Sequence, residues 1–179
     1  MRCLVPLMVV LACGGKPAPR DPTPRLARGT QRIAVDGGEV VIDVRGAGPV
    51  CIAHPGGPGV DSTYLHIPAL EQRFTVVYID PLGTGGSSKL PAGQAYSVVR
   101  DAAAVEAVRA KLGLERVCLI GHSYGGFVVQ TYAIQHPDRV RGLLLYSTSP
   151  TLASDWQQDV EANLQRFKDQ PWFADAIKS

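Results

Sequence analysis

A mostly parallel β-sheet with helices on both faces is the fold class this sequence predicts, and three observations predict it. Apolar runs at residues 50–53, 75–79 and 117–120 are rich in β-branched side chains and lack polar alternation, as strands covered on both faces do. Helix-compatible stretches separate these runs, which makes parallel strands with right-handed crossovers the expected connection. Finally, 45% of the 179 residues are hydrophobic and 19% charged, enough apolar surface for one globular core and too much for a disordered chain. The net charge of +2 is scattered along the sequence, so nothing marks a nucleic-acid surface.

Taken in order, residues 1–13 read as a lipoprotein-type signal peptide. Met1-Arg2 precedes an apolar run over residues 4–12 that is too short to span a bilayer. The run closes on Val10-Leu11-Ala12-Cys13-Gly14, which resembles the lipobox of bacterial lipoproteins, so Cys13 is the expected lipidation site. A lipid there would hold the protein at the bacterial cell envelope, each buried CH₂ contributing about 0.8 kcal/mol. The alternative is a plain cleaved signal and a secreted or periplasmic product. Residues 14–30, rich in Pro, Gly and Arg, read as a flexible tether.

Residues 31–150 read as the N-terminal part of the α/β core. Strand-like runs at 32–35 and 40–45 flank Asp36-Gly37-Gly38, a hairpin signal. Helices are expected over about 62–72 and 98–112, the second with Val98, Ala102, Val105, Val108 and Leu112 at helical spacing and Gly113 after its end. A third helix begins beyond Ser123, with Phe127, Val128, Tyr132 and Ile134 in its pattern, and stops at His136-Pro137. Residues 140–146 then predict one more buried strand. The more polar stretch that follows, within 151–179, reads as the start of a helical cap. Of the four cysteines, Cys3 and Cys13 fall in the signal, and Cys51 and Cys118 are expected as buried free thiols inside strands.

Three motifs carry chemistry. Gly121-His122-Ser123-Tyr124-Gly125 fits G-x-S-x-G between a strand and a helix, where a serine on a sharp turn is exposed for attack. The helix beginning at Tyr124 directs partial positive charge toward a developing oxyanion. His54-Pro55-Gly56-Gly57-Pro58-Gly59 follows the strand at 50–53 and offers backbone N–H groups free of Cβ obstruction. Asp80-Pro81-Leu82-Gly83-Thr84-Gly85-Gly86-Ser87-Ser88 follows the strand at 75–79; its spacing matches neither phosphate-binding glycine motif.

On these residues the chain, from Gln31 to about Tyr146, resembles the α/β-hydrolase fold family, and within it the serine hydrolases similar to proline iminopeptidases. Their HGGPG loop is echoed at His54–Gly59, with Pro55 displacing His54 by one position, and their D-x-R-G-x-G-x-S loop at Asp80–Ser87, with Leu82 in place of arginine. The segment 133–140 is similar to the family's stretch before the next strand. The resemblance implies Ser123 as nucleophile, the N–H groups of Gly57 and Tyr124 as the oxyanion hole, and no cofactor or metal. It implies a hydrolase (EC 3) acting on an ester or amide bond of a small-molecule or peptide substrate: a proline iminopeptidase-like aminopeptidase or, alternatively, a carboxylesterase. Serine at the elbow argues against the haloalkane dehalogenases and epoxide hydrolases, which resemble this fold but use aspartate there. Membrane contact is expected through the lipid anchor only.

In this fold the triad runs Ser, acid, His. Here His54, His66 and His122 precede Ser123 and His136 lies just beyond its helix, while no carboxylate follows residues 140–146 until Asp155. The expectation is a truncated chain that lacks the triad acid and histidine and hydrolyses esters barely or not at all; the remaining alternative is a catalytically inactive fragment.

Overall fold

A computed structural model of the chain describes residues 25–150, 161–162 and 165–173. The expected signal peptide, Cys13, most of the tether and most of the cap lie outside the described residues. Two compact units separate at residues 148 and 149. In the second, residues 165–173 make helical turns in which the rings of Phe167 and Trp172 stand 5.8 Å apart.

The first unit is built on a six-stranded sheet in the order β1-β2-β4-β3-β5-β6. Strands β1 (Gly29–Val35) and β2 (Gly38–Gly46) form the hairpin that Asp36-Gly37 turns, with Val35 opposite Gly38. β2 then pairs antiparallel with β4 (Thr75–Asp80). From β4 onward the sheet is parallel through β3 (Val50–His54), β5 (Val117–His122) and β6 (Val140–Tyr146). The three unalternated apolar runs are thus the central strands, as predicted.

Helices α2 (Val98–Lys111) and α3 (Tyr124–Gln135) cover one face of the sheet, burying Ala102, Val105, Val108, Val128, Val129 and Tyr132 against Ile42, Ile52, Val77 and Leu119. Ser97 caps α2 by accepting the N–H of Arg100 at 3.2 Å, and Gly113, at φ +65°, ends it. Glu106 of α2 braces α3: it accepts the Tyr132 hydroxyl at 2.6 Å and two bonds from Arg109, whose guanidinium holds the carboxyl down at about 2. The opposite face is covered by Leu65 of a 3-10 turn (Thr63–Leu65) and by α1 (Pro68–Glu71), over Cys51, Val76, Tyr78 and Ile120.

Three expectations are corrected. The helix expected over 62–72 is this 3-10 turn followed by a single helical turn, because Ile67-Pro68 puts Ile67 in extended backbone and restarts the helix at the proline. Ile134, grouped with Phe127, Val128 and Tyr132 in the pattern of α3, stands apart from the buried Val128 and Tyr132 and is 80% exposed. Residues 140–146 do form a strand, but Arg141, Gly142 and Leu143 are exposed, because β6 is the edge of the sheet. Cys51 and Cys118 are free thiols facing each other in register on β3 and β5, the first buried and the second half-buried.

Candidate active site

Parallel strands deliver their C-terminal ends to one rim of the sheet, and there β3 and β5 set the two candidate loops side by side: His54 pairs with Gly121 in the last register position. Ser123 follows β5 directly and is the N-cap of α3, at φ 48° and ψ −117°. A non-glycine residue rarely adopts positive φ, and the surrounding structure must over-determine it. The determinants are visible. The Ser123 N–H donates to the Tyr146 carbonyl at 3.2 Å, and the Ser123 carbonyl accepts from the Gly126 N–H at 2.9 Å and the Thr148 hydroxyl at 2.7 Å.

Close packing explains the motif's glycines. A Cβ on Gly121 would lie 2.6 Å from both the Gly125 carbonyl oxygen and Val129, and one on Gly125 would collide with the carbonyl oxygens of His54 and Pro55. The first turn of α3 therefore sits directly on the loop after β3.

In that loop Gly57 stands exposed at φ +116°, joined to Pro58 by a cis peptide. Among the described residues no hydrogen bond occupies the N–H of Gly57 or of Tyr124, so both predicted donors are open. His54 is buried, with Nδ1 3.0 Å from the Pro55 carbonyl. Burial holds its imidazole below the ordinary range, against the opposing influence of Asp101.

Asp101, in the first turn of α2, is a residue the motifs do not reveal. It is buried, and its carboxylate accepts the Tyr124 hydroxyl at 2.9 Å. Burial raises the Asp101 carboxyl, partly offset by His54 and the Tyr124 bond, and burial also raises the Tyr124 phenol. Tyr124, the residue after Ser123, is thus anchored at both ends, by its backbone in α3 and by its hydroxyl on α2. Nothing in residue spacing signals this pair.

The Asp80–Ser88 loop has a structural role. Asp80 accepts the N–H and hydroxyl of Ser62 at 2.9 and 2.7 Å, Ser87 accepts the Val41 N–H at 2.7 Å, and Leu82 is buried in the core. It ties the segment after the Gly56-Gly57 loop to β4 and β2.

The remaining histidines are each engaged elsewhere. His136 ends α3, its N–H on the Tyr132 carbonyl at 2.8 Å; the His66 ring lies against Tyr78, centroids 4.5 Å apart and planes tilted by 56°; His122 places Nδ1 2.7 Å from the Tyr64 hydroxyl. Among the described residues none bonds to the Ser123 hydroxyl, and no group of three or more potential metal ligands gathers.

Comparison with known proteins agrees with this fold. The family model for the alpha/beta hydrolase fold matches residues 48–178. The chain is 33% identical over 141 residues to a proline iminopeptidase from Heyndrickxia coagulans, covering 75% of this chain and 48% of that protein. It is 33% identical over 105 residues to a (lyso)-N-acylphosphatidylethanolamine lipase from Bos taurus, covering 58% of this chain and 31% of that one. A crystal structure of a hydrolase from Pseudomonas aeruginosa superposes with a TM-score of 0.64 at 27% identity, over 83% of this chain and 57% of that structure. The chain therefore spans about a third to a little over half the length of these proteins.

Proposed function

This chain belongs to the α/β-hydrolase fold family, and on that premise we propose that Ser123 is the nucleophile of a hydrolase acting on an ester or amide carbonyl. The observation that carries the reading is the strained Ser123 backbone at the junction of β5 and α3, beside two open N–H donors. In this mechanism the Ser123 hydroxyl oxygen attacks the carbonyl carbon while the N–H groups of Gly57 and Tyr124 stabilise the oxygen as it becomes anionic. Each such donor is worth about 2.7–4 kcal/mol in the transition state. Collapse of the tetrahedral species expels the alcohol or amine, and water then releases the acyl group. The serine proton needs an acceptor, and we place that base and its orienting carboxylate outside the described residues. His54 is buried against Pro55, and His122 is engaged by Tyr64.

The finer reading is a proline iminopeptidase-like aminopeptidase, supported by the His54–Gly59 loop and by the 33% identity to the Heyndrickxia coagulans enzyme. Carboxylesterase is the alternative, on the same loop geometry. The full-length polypeptide carrying this sequence should be assayed on prolyl-naphthylamide beside a panel of short-chain esters. The aminopeptidase reading expects turnover of the amide, lost in Ser123→Ala by roughly a millionfold; turnover of esters alone selects the esterase, and activity that survives Ser123→Ala removes Ser123 as nucleophile. We also propose anchorage of the product to the bacterial envelope through lipid on Cys13. Incorporation of labelled fatty acid that persists in Cys13→Ser would overturn it.

A further inference from the structure

Tyr64, in the 3-10 turn Thr63–Leu65, touches both halves of the candidate oxyanion site. Its hydroxyl oxygen accepts the Gly56 N–H at 2.6 Å and lies 2.7 Å from Nδ1 of His122, the residue before Ser123. The inventory of protons fixes one bond direction: a backbone N–H can only donate, so the phenol accepts from Gly56. Toward His122 the direction follows the imidazole tautomer: with the ring proton on Nε2 the phenol donates its own proton to Nδ1, and that is the arrangement the clamp uses.

The fit is close. A Cβ on Gly56 would stand 3.0 Å from both the Tyr64 hydroxyl and His122 Nδ1, and 3.2 Å from Cβ of Ser123, so four residues converge on one point. The His122 ring is further held by stacking on Tyr146, with centroids 4.6 Å apart and planes at 27°, and by the edge of Tyr64 at 5.5 Å. Tyr64 and Tyr146 are the titratable groups that face it, and burial alone moves its imidazole below the ordinary range, toward the neutral form.

We propose that Tyr64 is a positioning residue of the oxyanion site, its hydroxyl clamping the Gly56-Gly57 loop onto the serine elbow through His122. The clamp uses the N–H of Gly56 and leaves that of Gly57 as the loop's open donor. This rests on the reading of Ser123 as nucleophile with Gly57 and Tyr124 as donors.

Nitrogen-15 NMR of histidine-labelled full chain reads the clamp without any variant: His122 should hold its proton on Nε2, and a proton on Nδ1 at neutral pH overturns the proposal. Tyr64→Phe keeps the ring and removes the hydroxyl. It should mix the His122 tautomers and speed exchange of the Gly56 amide proton; unchanged tautomer and exchange overturn the proposal. In the full-length polypeptide carrying this sequence, the rate at which a fluorophosphonate modifies Ser123 should fall about tenfold in Tyr64→Phe, less than the loss of a donor outright. An unchanged rate overturns the positioning role. His122→Asn, which keeps an acceptor near Nδ1, should retain more of that rate than His122→Leu; equal rates again count against the clamp. Labelling that persists in Ser123→Ala, or is missing from the wild type, instead overturns the nucleophile reading, while the tautomer still decides the clamp.

Discussion

Strands β5 and β6 lie side by side in parallel register, and both read in the sequence as buried apolar runs, yet they occupy different environments. β5 has a strand on each side and α3 across it, and it buries Val117, Leu119, Ile120 and Gly121. Among the described residues β6 has a partner strand on one side, β5, and Arg141, Gly142 and Leu143 are exposed. Composition sets whether a run can be a strand; the number of neighbours sets whether its side chains are buried. The candidate site therefore rests on the better-packed of the two, where a strained serine can be held in place.

The difference can be tested residue by residue, beginning where the expected effect is largest. Gly121→Ala on β5 places a Cβ 2.6 Å from a backbone oxygen and from Val129, and should cost about 3 kcal/mol or prevent folding. Gly142→Ala on β6 meets nothing within 4 Å and should leave stability unchanged or raise it by about 0.5–1 kcal/mol. Urea titration of both variants measures the contrast, and equal losses would show that β6 is packed in solution. Next in size, Leu119→Ala removes a fully buried side chain and should cost about 2–5 kcal/mol, whereas Leu143→Ala, 36% exposed, should cost under about 1 kcal/mol. A large loss at Leu143 would show that another surface covers the edge.

What the sequence made legible follows the same division. Local signals worked where one segment decides its own structure: Asp36-Gly37-Gly38 for the hairpin, β-branched runs for the central strands, Gly113 for the end of α2, and Gly121–Gly125 for the elbow. They did not work where the outcome depends on what packs alongside. The exposure of β6 follows from its place at the edge of the described sheet, whereas the break between the 3-10 turn and α1 is a local signal at Ile67-Pro68 that the expectation of one helix over 62–72 passed over. Asp101, Glu106 and Tyr64 are ordinary polar residues on helix or loop patterns. Their partners Tyr124, Tyr132 and His122 lie on other elements, so the pairs exist only after the sheet has brought those elements together.

The Asp101–Tyr124 pair gives the third and smaller effect. Tyr124→Phe leaves the ring in place and deprives a buried carboxylate of a donor, which should cost about 1–3 kcal/mol. Asp101→Asn, which can still accept the phenol proton without burying a charge, should cost less. Thermal unfolding of the two variants orders them, and a Tyr124→Phe protein as stable as wild type would mean that the carboxyl is already satisfied in its protonated form.

The last effect is a slope. His54 at the end of β3 and His122 at the end of β5 are both held below their ordinary value of 6.5, in each case chiefly by burial. Above that value both are neutral folded and unfolded, and they contribute nothing to pH dependence. As pH falls through 6.5 the unfolded chain takes up protons that the folded site resists, so stability declines toward the lower folded values and levels off beneath them. His54 is the more deeply enclosed and should dominate the decline, so His54→Gln, which cannot titrate, should flatten the curve of unfolding free energy against pH below 6.5. His122→Asn should flatten it less. Asp101 acts in the opposite sense, because its raised carboxyl favours the proton in the folded state, and its influence begins as pH rises from 3.8. The two windows approach each other from opposite ends, so the histidine variants are compared nearest pH 6.5, where a wild-type curve with no downward slope toward acid would contradict the burial of His54 beneath the serine elbow.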